Sequence, residues 1–101
     1  MKYYSTNKKA PMATLHEAVV KGLAGDRGLY MPESIKQLPQ SFFDNIGTMS
    51  FQDIAFTVAQ AFFGEDIPDA DLRRIVDDTL SFDCPVAPVT DNIYSLELFH
   101  G

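Results

Sequence analysis

The sequence predicts one α+β domain, in which several helices pack on a small sheet and a β-hairpin lies at the C-terminal end. Three observations predict this class. Apolar residues recur at helical spacing through the middle of the chain, the pattern changes to alternation after Phe82, and no alternating βαβ order is present. With 101 residues, 46% of them hydrophobic, the chain can bury one core, and a compact fold would have a radius of gyration of about 13 Å.

The first half of the chain predicts two strands around a helix. Residues Lys2–Thr6 suit a short strand because tyrosines favour a pleated surface. Thr14 and Glu17 form a capping box, which predicts a helix start, and Gly25 is expected to end that helix. Gly28–Pro32 predicts a short extended segment. The inward face of the helix is predicted to hold Leu15, Ala18, Val19 and Leu23.

Two helices are predicted in the middle of the chain. Pro39–Ile46 is a short helix candidate that Gly47 would break. Ser50 and Asp53 form a second capping box, and the following helix is expected to run to Phe63 and to stop at Gly64. Gln52 is predicted to face solvent. The buried stripe of this longer helix is predicted to be Phe51, Ile54, Ala55, Val58 and Phe62.

The C-terminal third predicts a last helix and a hairpin. The helix begins near Pro68, a favoured first helical residue, and the inward residues are predicted to be Leu72, Ile75, Val76 and Thr79. Strands Val86–Thr90 and Ile93–Phe99 are joined by a tight turn at Asp91-Asn92. Because its apolar residues alternate, the second strand is expected to be half-buried through Tyr94, Leu96 and Leu98.

Charge and cysteine content exclude several classes of function. The net charge is −6, and residues 51–101 carry ten acidic but only two basic side chains. No basic cluster exceeds two residues, so a nucleic-acid partner is not expected. No apolar run is long enough to cross a membrane, and no signal peptide is recognisable. The single cysteine, Cys84, suits a reducing compartment, so we expect a cytoplasmic domain.

The candidate chemical residues do not combine into an active site. His16 lies in a capping box and is expected to be a surface histidine. A dyad of Cys84 with His16 or His100 stays open, but no helix N-terminus follows Cys84 to lower the pKa of its thiol, which favours a half-buried structural cysteine. The glycines at 22, 25 and 28 fit no phosphate-binding motif and favour a helix stop and a turn.

The acidic residues predict ion pairs rather than a metal site. Asp66, Asp69 and Asp71 lack the spacing of a calcium loop, and a proline interrupts them, so no metal is expected. Spacings of four residues on the last helix instead predict side-chain ion pairs on its surface. These pairs are Asp69 with Arg73, Arg73 with Asp77, and Arg74 with Asp78.

Four short segments of the chain follow the pattern of a known enzyme family. The first, Glu97-Leu98-Phe99-His100-Gly101, resembles a stretch of the threonine synthases, enzymes that use pyridoxal phosphate (PLP). In that family the stretch continues with Pro-Thr and then Phe-Lys-Asp, whose lysine forms the Schiff base with PLP. Tyr4-Ser5-Thr6 resembles the opening strand of the family, and Gly28–Pro32 its glycine-leucine-aromatic-x-proline segment. Pro85–Val89 resembles the proline-bracketed approach to its catalytic domain. The order and spacing of these segments make the resemblance specific.

The resemblance implies that residues 1–101 are a single N-terminal domain without the PLP domain. The whole enzyme would convert O-phospho-L-homoserine and water to L-threonine and phosphate. No lysine of the chain matches the family lysine, so the resemblance implies no catalytic or cofactor-binding residue, no bound PLP and no activity for this chain alone. His100 and Gly101 would lie near the active site of the whole enzyme.

Two expectations concern partners. The resemblance makes the PLP domain of the same chain the main partner, and the unpaired second strand of the hairpin predicts a weak homodimer of the isolated domain. An independent small α+β module that binds another molecule is the alternative function.

Overall fold

A computed structural model describes residues 1–100 and has the predicted α+β architecture. Four α-helices and two separate two-stranded antiparallel sheets are present in this range. In chain order the elements are β1 (Tyr3–Ser5), α1 (Leu15–Lys21), β2 (Tyr30–Pro32), α2 (Gln40–Asn45), a 3-10 turn (Ile46–Thr48), α3 (Phe51–Phe63), α4 (Asp69–Thr79), β3 (Val86–Thr90) and β4 (Ile93–Leu96).

Helix α1 begins as predicted and ends earlier than predicted. The Thr14 hydroxyl accepts a hydrogen bond from the Glu17 N–H at 3.2 Å, which confirms the N-cap. The helix ends at Lys21 because Gly22 adopts a φ of 74°, a left-handed conformation that favours glycine, so the predicted stop at Gly25 is wrong.

The predicted inward face of α1 is only partly buried. Leu15 is in the core, whereas Val19 and Leu23 are exposed. Val19 lies beside an open groove between α1, α3 and α4. The prediction is therefore right for Leu15, whereas Val19 lies on α1 without a covering layer in residues 1–100 and Leu23 lies beyond the end of the helix.

Helices α3 and α4 pack against each other, and α4 contributes two residues to the small core. The Ser50 hydroxyl accepts from the Asp53 N–H at 3.1 Å, so the second N-cap is confirmed. Leu72 and Val76 of α4 are buried, but α3 has no fully buried residue. The predicted inward residues Phe51, Val58 and Ile75 are exposed because the helices cover only part of each other.

Gln52 was predicted to face solvent, and this expectation is wrong. Its side-chain amide is half-buried and donates a 2.8 Å hydrogen bond to the Leu80 carbonyl oxygen at the end of α4. The last carbonyl oxygens of a helix receive no hydrogen bond from an N–H of the same helix, and here the Gln52 amide supplies the missing donor.

The ion pairs on α4 differ in part from the predicted set. Arg73 pairs with Asp77 at 3.2 Å as predicted, and also reaches Asp53 of α3 at 2.8 Å. The hydrogen bonds of Arg73 and then Ser50 lower the pKa of Asp53. Two predicted pairs are wrong, because Asp69 accepts from the Gln60 amide, and Arg74 lies 3.6 Å from Asp71 instead of pairing with Asp78.

Strands β3 and β4 form the predicted hairpin, and Asn92 occupies its turn with a φ of 61°. Strand β4 ends at Leu96 rather than Phe99, and all four of its residues are exposed. The expectation of a half-buried face at Tyr94, Leu96 and Leu98 is therefore wrong for residues 1–100. The alternation is real, but neither face of the hairpin meets a packing layer in this part of the chain.

The molecule is more extended than a compact domain of this size. The radius of gyration is 16.4 Å, and the extents are 45 × 33 × 27 Å. Within residues 1–100, nineteen large apolar side chains are exposed, and an apolar surface of this extent is typical of an interaction surface. The buried apolar set is small and consists of Tyr3, Ala13, Leu15, Ala24, Phe42, Leu72 and Val76. No helix within residues 1–100 is long and apolar enough to span a membrane.

Candidate functional site

The Asp26 carboxylate ties together three segments of the N-terminal region. Its Oδ1 atom accepts hydrogen bonds from the Ser5 hydroxyl at 2.5 Å and from the Gly28 N–H at 3.0 Å. Its Oδ2 atom accepts from the Lys9 and Ala10 N–H groups, both at 2.9 Å. Strand β1, the loop that follows it and the turn before β2 are therefore held by one side chain.

These bonds make Asp26 a structural anion rather than a proton carrier. The hydrogen bond from Ser5 and the backbone N–H groups of Gly28, Lys9 and Ala10 lower the pKa of Asp26 to about 2. Sequence reasoning missed this network. The available signal was the tripeptide Asp26-Arg27-Gly28. In an Asx turn, an aspartate side chain accepts a hydrogen bond from the backbone N–H of the residue two positions later.

Removing the negative charge of Asp26 should change how the free energy of unfolding depends on pH. Because the pKa falls from an ordinary 3.8 to about 2 on folding, the ionised carboxylate stabilises the fold above pH 4, and this contribution is lost as the pH falls towards 2. Asp26→Asn should therefore lower the urea midpoint at pH 7, and the difference from the parent should shrink as the pH approaches 2. A difference that stays constant over this range would contradict the proposed origin of the pKa shift.

An apolar groove opens between α1, α3 and α4. It has a volume of about 340 Å³, and its walls include Leu15, Val19, Ala59, Phe63, Ile67 and Ile75. Beside it, a second cavity of about 370 Å³ lies between α1 and β2, and the ring of Tyr3 forms part of its wall. The groove carries almost no polar group that could do chemistry, so its chemistry suits contact with apolar side chains.

The Tyr3 hydroxyl is the exception within this apolar region. It is buried, and no atom of residues 1–100 is placed to accept its hydrogen bond. Burial raises the pKa of Tyr3, and the negative charge of Asp66 raises it further. The hydroxyl therefore stays protonated, and within residues 1–100 it has no hydrogen-bond partner.

Three of the candidate residues singled out from the sequence, His16, Cys84 and His100, lie in the part of the chain that the structure describes. The His100 ring lies 4.4 Å from the Phe99 ring, its Nε2 atom is 3.2 Å from Glu97 Oε1, and the side chain is exposed. Gly101 lies outside the described residues. His16 is exposed as predicted and Cys84 is half-buried as predicted. Across residues 1–100, no hydrogen bond joins Cys84 to either histidine.

Acidic and basic side chains are dispersed over the surface. Within the described range, no group of three or more His, Cys, Asp or Glu side chains could hold a metal ion. Lys36 donates a 2.7 Å hydrogen bond to Glu65, and this bond, followed by that of the N-terminal ammonium, lowers the pKa of Glu65 to about 2. Residues 1–100 thus combine open apolar surfaces with charged side chains that are spread over the exterior.

Comparison with known proteins identifies the family of this chain. A family model described as "Threonine synthase N terminus" matches residues 2–80. The chain belongs to the threonine synthase family. Threonine synthase from Saccharomyces cerevisiae is 36% identical, over 98% of this chain and 22% of that relative. The Escherichia coli K12 enzyme is 30% identical, over 100% of this chain and 24% of the relative.

Solved threonine synthases share the fold over the whole chain. The crystal structure of the Escherichia coli enzyme matches with a TM-score of 0.85 and 30% identity, covering 100% of this chain and 24% of that chain. The PLP-bound threonine synthase of Brucella melitensis matches with a TM-score of 0.86 and 36% identity, covering 100% and 23%. The resemblance and the α+β class predicted from sequence are confirmed, and the chain spans about a quarter of the length of these threonine synthases.

The residues of this threonine synthase region do not fit PLP. A Schiff base with PLP requires a lysine in an enclosed site, but all five lysines of the chain are exposed, namely Lys2, Lys8, Lys9, Lys21 and Lys36. The apolar groove offers no cation for the phosphate of the cofactor.

Proposed function

We propose that residues 1–101 form the N-terminal domain of a PLP-dependent threonine synthase. The complete enzyme would convert O-phospho-L-homoserine and water to L-threonine and phosphate. The observation that carries this proposal is the match of the entire chain to the PLP-bound Brucella melitensis enzyme, with a TM-score of 0.86 at 36% identity over 23% of that chain. The single cysteine supports a reducing compartment, and we place the enzyme in the cytoplasm.

The domain supplies structure and not chemistry in this proposal. The PLP domain of the same polypeptide would hold the cofactor, because the exposed lysines here fit no cofactor site. The exposed apolar side chains support a domain that is covered by further polypeptide, as they would otherwise stay in water. His100 and Gly101 are proposed to lie near the active site of the whole enzyme, and no residue of this chain is proposed to act on substrate.

The chain alone should release no phosphate from O-phospho-L-homoserine. A threonine synthase polypeptide that carries this sequence together with its PLP domain should release phosphate and form threonine under the same conditions. Phosphate assay and mass spectrometry after borohydride treatment with PLP are the measurements. A stoichiometric PLP adduct on one lysine of the 101-residue chain would contradict the absence of a cofactor site, and an inactive complete polypeptide would contradict the proposed activity.

The isolated chain should form a weak dimer through the hairpin. In the described residues 1–100, one edge of strand β4 has no strand beside it, and such an edge is a template for another chain. Sedimentation velocity should show an average mass that rises with concentration, and Leu96→Lys should abolish this rise. Ile35→Lys is the control, because Ile35 is also an exposed aliphatic residue but lies in the segment between β2 and α2. A monomer at every concentration would show that the edge does not pair in the isolated chain.

A further inference from the structure

The main-chain register of the hairpin determines which groups point outwards. The Glu97 N–H donates to the Pro85 carbonyl oxygen at 3.0 Å, so these two residues face each other as a hydrogen-bonded pair. In an antiparallel ladder, hydrogen-bonded and non-hydrogen-bonded pairs alternate. The non-hydrogen-bonded pairs, whose N–H and C=O groups point away from the partner strand, are therefore Val86 with Leu96 and Pro88 with Tyr94.

The two outer edges of the hairpin consequently differ. The edge of β3 contains Pro88, which has no N–H at one of its outward positions, and a proline there hinders pairing with another strand. The edge of β4 presents the N–H and C=O groups of both Tyr94 and Leu96. In the part of the chain that the structure describes, the sheet holds only β3 and β4, so the β4 edge has no strand beside it.

The surroundings of the β4 edge are apolar and uncovered. Tyr94 and Leu96 are 64% and 55% exposed, and the apolar pattern continues through Leu98 and Phe99, which are 67% and 75% exposed. A two-stranded hairpin alone is marginally stable in water, and a third strand with a packed face is the usual way to stabilise it. Both the backbone and the side chains of β4 are therefore suited to receive a strand.

We propose that β4 pairs with a strand supplied by the remaining part of the complete threonine synthase chain. The inference rests on the proposed function and names the surface through which the domain joins the rest of the enzyme. About three quarters of each similar threonine synthase lies outside the matched region, so ample polypeptide is available to supply the strand. A second copy is the weaker occupant, because residues 1–101 carry a net charge of −6 and two such domains, placed edge to edge, repel each other.

Amide hydrogen exchange in the complete enzyme tests the proposal with a control built into the hairpin. Leu96 and Val86 face each other, but their N–H groups point to opposite edges. We expect the Leu96 and Tyr94 amides to exchange at least about tenfold more slowly than the Val86 amide, since strand pairing protects an N–H from water. Equally rapid exchange at all three amides would overturn the proposal. Protection of Leu96 that grows with enzyme concentration would also overturn it, because a second copy would then be the occupant.

A matched pair of proline variants removes one outward N–H at a time. Leu96→Pro in the complete enzyme should lower the thermal midpoint, whereas Val86→Pro, on the edge that already holds Pro88, should change it much less. Equal shifts for the two variants would overturn the assignment of the added strand to β4. Failure of the proposed function would look different, because the unmodified complete enzyme would then release no phosphate whatever the exchange rates are.

Discussion

Gly28→Ala should lower the free energy of unfolding by about 3–5 kcal/mol. Two effects contribute to this loss: a steric clash in a packed site, and damage to a hydrogen bond that a charged group accepts. A Cβ atom at residue 28 would overlap the Ser5 hydroxyl and would lie 2.9 Å from the Asn7 backbone nitrogen. Ser5 is fully buried and its hydroxyl is held by Asp26, so neither partner can move without breaking the network. Urea denaturation of the variant and the parent measures the loss.

Two further variants separate this contact from a general effect of alanine. Gly47→Ala is the matched control, since nothing lies within 4 Å of the added Cβ, and its effect should stay within about 0.5 kcal/mol. The cost of Gly28→Ala should be smaller in a Ser5→Ala background, because the nearest clashing atom is then absent. Similar urea midpoints for Gly28→Ala and Gly47→Ala would contradict the close packing around Asp26.

Leu72→Ala should cost about 2–5 kcal/mol, the usual range for removing a buried leucine side chain. Leu72 is only 2% exposed and lies on α4 where that helix meets α3. Ile35→Ala is the control, because a residue that is 77% exposed should change stability by no more than about 0.5 kcal/mol. Equal urea midpoints for the two variants would show that the contact between α3 and α4 is not part of the core.

This expectation also corrects the choice of core residue made from the sequence. Helical spacing placed Phe62 on the buried stripe of α3, but Phe62 is only half-buried. We therefore expect the large loss of stability at Leu72 of α4, which is buried and lies beside residues of α3. Periodicity identifies the apolar face of a helix, but the depth of burial depends on how far the neighbouring helix extends over it.

The hydrogen bonds of Asp26 show that the candidate site, too, could be predicted from the sequence only in part. Its donors come from residues 5, 9, 10 and 28, and only the bond to Gly28 is close enough in sequence to be read from a local motif. The remaining bonds require β1 and β2 to lie side by side, with Tyr3 opposite Pro32. Sequence reasoning predicted both strands without their pairing, so it could not predict which carboxylate the pairing would enclose.

The sequence by itself determined the features that depend on neighbouring residues. The N-caps at Thr14 and Ser50, the turn at Asn92 and the proline-limited strands follow from side-chain chemistry within a few positions, and the ordered family segments indicated threonine synthase. Only the tertiary structure decided which apolar faces are covered, because burial depends on atoms distant in sequence. Val19, Tyr94 and Leu96 carry the pattern of buried residues but stay exposed, since residues 1–100 provide no surface that packs against them.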